Sequence, residues 1–181
     1  MFWGGFMPPH YNYMSGKIIL LIIIFLFSNC ASVPQQNPEI WVAKMSDTVT
    51  RYYIPATTWQ ERVNRMVSCR VDITYVNEPE RQVVCNISFF NKNAIPNIIS
   101  SIYFMAGVEI YPLNNINNMF TRMENNELRI TSVIEIEQLF NLFQSENISL
   151  RAVIDSVEYT FVPNTYFLLY SKQFSEMVRS E

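Results

Sequence analysis

Cys69-Arg70-Val71-Asp72-Ile73-Thr74-Tyr75 and Val83-Val84-Cys85-Asn86-Ile87-Ser88-Phe89 are the two runs that decide the fold. In the first, Cys69, Val71, Ile73 and Tyr75 alternate with Arg70, Asp72 and Thr74. In the second, Val83, Cys85, Ile87 and Phe89 alternate with Gln82, Asn86 and Ser88, with Val84 and Phe90 interrupting the polar side. A period of two gives each strand one buried face and one wet face. Asn77-Glu78-Pro79-Glu80 between them reads as a turn. Centring the hairpin on Pro79 pairs Tyr75 with Val83, Ile73 with Cys85 and Cys69 with Phe89. All the apolar side chains then share one face, so the register is self-consistent.

That register bears on the cysteines. Cys69 and Cys85 fall on one face but four positions apart, roughly 13 Å along the strand. A disulfide needs Cα atoms within about 7 Å. The pair therefore reads as two small buried hydrophobes. A Cys69–Cys85 disulfide is the alternative that an exported chain would allow.

Before this hairpin, Trp41 to Lys44 predicts a first strand and Val49 to Ile54 a second. Thr57 to Met66 is ambiguous, because Trp59, Val63 and Met66 have helical spacing over a short stretch. Ile102, Phe104, Val108 and Ile110 indicate a further strand or hairpin, with Ala106-Gly107 as its turn. Met119 to Met123 and Leu128 to Ile134 flank Glu124-Asn125-Asn126-Glu127, another hairpin signal. Ile136, Leu139, Phe140 and Phe143 switch to a period of 3.6, predicting a short helix over 136–146. Asp155-Ser156 is a tight turn that pairs Ile154 with Val157, Ala152 with Tyr159 and Leu150 with Phe161. Asn164 is a candidate N-cap for a last helix over 164–178, with Phe167, Tyr170, Phe174 and Met177 on one stripe. The expected class is α+β, mostly antiparallel, as a sandwich-like or curved sheet with two helices.

The N-terminal part of the chain carries a different signal. Lys17 precedes an unbroken apolar run, Ile18 to Phe27, then Ser28, Asn29 and Cys30. As a helix that run rises about 15 Å, half a bilayer core, which suits a signal-peptide core better than a span. Phe27-Ser28-Asn29-Cys30 resembles a bacterial lipobox, in which a cysteine is acylated and becomes the first residue of the mature chain. It departs from the usual pattern at Phe27 (for Leu) and Asn29 (for Gly or Ala), as spirochaete-type lipoboxes do. The resemblance implies a signal peptide over 1–29, lipidation of Cys30, a tether over 30–38 and one β-rich domain over 39–181. The alternatives are an uncleaved signal anchor and a buried hydrophobic helix with a chance cysteine. Met14-Ser15-Gly16-Lys17 forms a compact start of its own, so residues 1–13 are expected to precede the true start. The short helix, hairpin and aromatic terminal helix from Leu139 to Met177 look like those of small bacterial envelope lipoproteins of unknown function.

Composition narrows the function classes. The 181-residue chain has a net charge of -3 and 49% hydrophobic residues. It is too apolar to be disordered throughout and lacks the basic excess of a nucleic-acid binder. The one histidine, His10, lies upstream of the expected cleavage, which removes histidine-dependent triads and His-containing zinc sites. After Cys30 the one glycine is Gly107, so there is no phosphate-cradling glycine loop and no dinucleotide fingerprint. No Ser-x-x-Lys occurs. Glu78/Glu80, Glu124/Glu127, Glu135/Glu137 and Asp155/Glu158 sit in or near turns, where solvated carboxylates are ordinary. Asn114, Asn115, Asn117 and Asn118 read as a polar loop rather than a calcium site, which would use carboxylates.

No catalytic residue, metal ligand or cofactor is expected. Aromatic side chains are the recognition candidates. Most of Trp41, Tyr52, Tyr53, Trp59, Tyr103 and Tyr111 are expected to pack in the core. Tyr52, Tyr53 and Trp59, beside Arg51 and Arg62, are the interaction-face candidates. The sequence thus points to a non-enzymatic binding or structural module of the bacterial envelope, held at the outer membrane or periplasmic face by its lipid. Its partners would be the membrane and a protein or envelope macromolecule. The alternative is a periplasmic inhibitor or immunity-type protein, with Glu78-Pro79-Glu80 as the blocking tip.

Overall fold

The computed structural model describes residues 39–78 and 82–179. The signal segment, Cys30 and the tether lie outside the described residues. Among those described, ten antiparallel strands form one sheet: β1 (Trp41–Lys44), β2 (Thr50–Glu61), β3 (Val67–Val76), β4 (Gln82–Asn91), β5 (Ile99–Ala106), β6 (Glu109–Pro112), β7 (Asn114–Arg122), β8 (Glu127–Glu135), β9 (Ile148–Ile154) and β10 (Val157–Val162). Helix α1 (Ile136–Phe143) follows β8, and α2 (Thr165–Arg179) closes the domain. The strand order is β6-β5-β9-β10-β2-β3-β4-β8-β7, with β1 also on β2.

The sheet is strongly curved. Phe89 on β4 and Phe161 on β10 are three strand spacings apart, about 14 Å in a flat sheet. Their ring centroids are 5.6 Å apart. Trp59 on β2 and Phe104 on β5 are also three strands apart, yet their ring centroids lie 5.9 Å from each other. The two ends of the sheet are covalently joined as well. The chain leaves β5 through β6 (Met105↔Ile110) and passes through the single residue Leu113 to pair with β8 through β7 (Asn114↔Val133). Leu113 is buried, and its N–H donates to Ile102 O at 3.2 Å. The result is a nearly closed, barrel-like sheet. Closure gives a domain of this size an interior large enough for its many buried aromatic side chains.

Both hairpins predicted from alternation have the predicted register. Tyr75 pairs with Val83, Ile73 with Cys85 and Cys69 with Phe89. Ile154 pairs with Val157, Ala152 with Tyr159 and Leu150 with Phe161. The second hairpin turns on Asp155 and Ser156, both at positive φ. A two-residue turn demands such a left-handed pair. The β5–β6 hairpin turns at Gly107, also at positive φ, where glycine is free of the steric cost that other residues bear.

Three segments differ from the sequence reading. Val49 to Ile54 and the ambiguous Thr57 to Met66 fall largely in one strand, β2, which runs to Glu61. The register shifts between Ile54 and Thr57, so the buried side chains change phase from Tyr52 and Ile54 to Thr57, Trp59 and Glu61. This bulge at Pro55-Ala56 breaks the period of two and creates an accidental helical spacing. Val63, the middle member of that spacing, is exposed beyond the strand end. Glu61 ends the strand by accepting from the backbone N–H groups of Val63 and Asn64.

The asparagine run is the second difference: it lies in strand β7, not in a loop. As the last strand of the order, β7 needs no apolar alternation. Its two register shifts roughen an edge that could otherwise template another strand. The third is α1, which stops at Phe143, short of the predicted 146.

The helices cover the concave face. Asn164 caps α2, its Oδ1 accepting from Phe167 N at 3.0 Å. Phe167 and Phe174, two turns apart, are fully buried. Phe143 of α1 meets each of them edge-on, with ring centroids 5.7 Å apart. Edge-to-face pairs of this kind join the two helices.

Candidate functional site

The aromatic candidates divide between core and surface. Trp59 is fully buried, edge-on to Phe167 at 4.6 Å, and its Nε1–H donates to Thr57 Oγ1 at 3.0 Å. Tyr52 is buried against Tyr75 at 5.8 Å and Phe174 at 6.0 Å. Tyr53, one residue on, faces outward half-buried, and its hydroxyl accepts from Arg51 Nη1 at 3.2 Å. The expected exposed face of Tyr52, Tyr53 and Trp59 therefore does not exist as a surface: two of the three rings are core, on the opposite side of β2 from the third. Trp41 is the exposed tryptophan of the described residues. Of the Glu78-Pro79-Glu80 tip, Glu78 is described, and its N–H donates to Val76 O. Pro79 and Glu80 lie outside the described residues.

Cys69 and Cys85 are free thiols, fully buried. Burial pushes both thiols above the ordinary value, and for Cys85 the Asp72 carboxylate pushes further in the same direction. A thiol so held is a poor nucleophile. Among the described residues, no cluster of three or more His, Cys, Asp or Glu side chains could hold a metal ion. The carboxylates of the last hairpin are tied into the framework. Asp155 accepts from the N–H groups of Asn97 and Ile98, and Glu158 accepts from the Tyr103 hydroxyl and pairs with Arg151 at 3.6 Å.

The organised polar chemistry lies on the outer face of β3, β4, β8 and β7. The pairing itself builds it. Arg70, Ser88 and Arg129 are register partners in one row across β3, β4 and β8, and Phe120 extends the row onto β7. The next row is Phe90, Glu127 and Arg122, and on the other side lie Asp72, Asn86 and Thr131. Arg129 is held at two points, with Nη1 donating to Ser88 Oγ at 2.9 Å and Nη2 to Asp72 Oδ2 at 2.8 Å. Asn86 Nδ2 donates to the other Asp72 oxygen at 2.8 Å. The two outer arginines rest on aromatic rings, Arg70 over Phe90 at 5.1 Å and Arg122 over Phe120 at 4.4 Å.

Ser88 is the small residue between these long side chains, and the result is a groove of about 670 Å³. Arg70, Arg122, Arg129, Phe90, Phe120 and Glu127 line it together with Ser88. Glu127 is buried at its edge, 3.7 Å from Arg122. Asp72 neutralises Arg129 and Glu127 lies near Arg122, so with Arg70 these five side chains leave the groove with one net positive charge, in a chain whose net charge is negative. A second hollow of about 490 Å³ lies between the end of α1 and α2 and is largely apolar, with Lys172, Glu176 and Arg179 at its rim.

Sequence reading did not find this groove. Arg70, Asp72, Asn86 and Ser88 stood out as the wet side of the hairpin, but Arg122 and Arg129 join them through strand pairings with no local signal. Comparison of the chain with known proteins returns no matching family model, no similar curated protein and no similar solved structure. Among the described residues no helix is long and apolar enough to cross a membrane.

Proposed function

We propose that this chain is a lipid-anchored protein of the bacterial cell envelope, acting as a non-enzymatic binding module. Acylated Cys30 holds it at the membrane, and the outer groove of β3, β4, β8 and β7 receives its partner. The anchor rests on the Lys17, Ile18–Phe27 and Ser28-Asn29-Cys30 sequence, since diacylglycerol supplies the two chains that stable anchoring requires. The observation that carries the binding role is the placement of Arg70, Arg122 and Arg129 around Ser88.

Arginines pinned by neighbours lose less freedom when a ligand arrives, so the groove is pre-organised for an anionic group. The concave side of the sheet, by contrast, is filled by Trp59, Phe104, Phe161, Phe167 and Phe174. A photo-cross-linking residue at Asn125, on the groove lip, tests the module in living cells. A defined adduct that disappears with Arg70→Glu/Arg122→Glu is expected. Adducts unchanged by that charge reversal would contradict the reading.

A further inference from the structure

We infer that the groove around Ser88 binds an extended, acidic polypeptide segment of a partner protein. This deepens the proposed function and rests on it. Charge favours such a segment. The lining presents three guanidiniums, and with Arg129 paired to Asp72 and Arg122 near Glu127 one positive charge is left uncompensated, with Arg70 as the cation that has no carboxylate beside it in these pairs. Arg70 and Arg122 rest on Phe90 and Phe120. Stacking of that kind leaves the N–H edges of a guanidinium open to fork onto carboxylates.

The spacing of the arginines suits an extended chain. Arg70 and Arg129 are two strands apart in the pairing. Arg129 and Arg122 are one strand and one pleat apart. At ordinary sheet spacings these separations are about 10 Å and about 8 Å. An extended chain repeats its side chains on one face about every 7 Å. The remaining few ångströms lie within the reach of the glutamate side chains of an incoming segment.

The groove also withholds what other anionic ligands need. Both phenylalanine rings carry a guanidinium, so neither offers that face for stacking on a sugar ring. Buried Glu127 stands among the cations. A densely sulfated or phosphorylated polymer would bring anions against it. Separated carboxylates avoid that repulsion.

The test uses the full chain in neutral detergent and a fluorescent peptide of alternating Glu and Thr, read by anisotropy. Binding is expected, and it should weaken roughly tenfold or more in Arg70→Gln/Arg122→Gln and for a peptide of alternating Gln and Thr. Arg62→Gln/Arg65→Gln, in the β2–β3 connection outside the groove, should bind as the parent does. Unchanged thermal unfolding shows that each variant is folded. Absence of Glu-Thr peptide binding, or equal loss in both double variants, overturns the inference. If dextran sulfate binds through Arg70 and Arg122 while the Glu-Thr peptide does not, the partner class is wrong and the groove stands as a binding site. If neither probe binds, the binding role falls with it.

Discussion

Arg129 on β8 reaches across β4 to place Nη2 2.8 Å from Asp72 Oδ2 on β3, and its Nη1 meets Ser88 on the strand between. Both charged side chains are about one-fifth exposed, at 22% and 21%. At that depth, removing one partner strands a largely buried charge, whereas removing both does not. Asp72→Ala is expected to cost about 1–2 kcal/mol in urea unfolding. Asp72→Ala with Arg129→Met should cost less than the two single losses added together. Additive losses would mean that the pair is screened by water and does not set the groove's shape.

Trp59 stands where the curved sheet meets α2. Its ring touches Phe104 and Phe167, and its N–H is satisfied by Thr57. Trp59→Ala is expected to destabilise by about 3–5 kcal/mol through the cavity left behind. Thr57→Val keeps the volume but leaves a buried donor unpaired, with an expected cost of about 1–3 kcal/mol. Denaturant midpoints of the two variants check both values. A cost near zero for Thr57→Val would place water at the indole N–H.

The buried thiols give a pH dependence. Their folded pKa values are raised above the ordinary 9.0. Between the unfolded and folded values the unfolded chain binds fewer protons, so stability is full below about pH 9 and falls as pH rises further. Tyr111 is held up chiefly by its hydrogen bond to Glu109. It adds loss of the same sign above about pH 10. Unfolding midpoints measured from pH 8 to 10.5 should decline, and Cys69→Ala/Cys85→Ala should flatten the onset. At pH 8, a thiol reagent should leave Cys69 and Cys85 untouched until denaturant is added.

Ser156 occupies the left-handed region in the β9–β10 turn, directly after Asp155. A left-handed L-residue costs roughly 1–2 kcal/mol, and glycine removes that cost while adding chain entropy to the unfolded state. Ser156→Gly is therefore expected to raise stability by about 0.5–1 kcal/mol. Asp155→Gly should do the opposite, because the Asp155 carboxylate secures the N–H groups of Asn97 and Ile98 at the entry to β5. Thermal midpoints of the two variants decide the point.

The parts of this molecule legible in the sequence are those governed by short-range alternation. Tyr75–Val83 and Ile154–Val157 pair as expected because each hairpin has a short connection and one apolar face, so a slip would expose the whole set. The Asn164 cap and the Phe167–Phe174 stripe were legible for the same local reason. Trp59 was misleading because the bulge at Pro55-Ala56 inverts the phase of β2, and a phase change looks like the end of a strand. The asparagine run of β7 was misleading because an edge strand with one neighbour can be polar on both sides. The groove was illegible because Arg70, Arg122 and Arg129 are brought together by the β3-β4-β8-β7 order, and nothing local in the chain encodes that neighbourhood.

Acylation of Cys30 is the proposed means by which this module is held at a membrane. Metabolic labelling with a clickable palmitate analogue, followed by intact mass, tests it in wild type and in Cys30→Ala. Label is expected on a wild-type chain that begins at residue 30, with loss of both label and cleavage in the variant. Equal label in the two chains, or an unlabelled chain that retains residues 18–29, would contradict it.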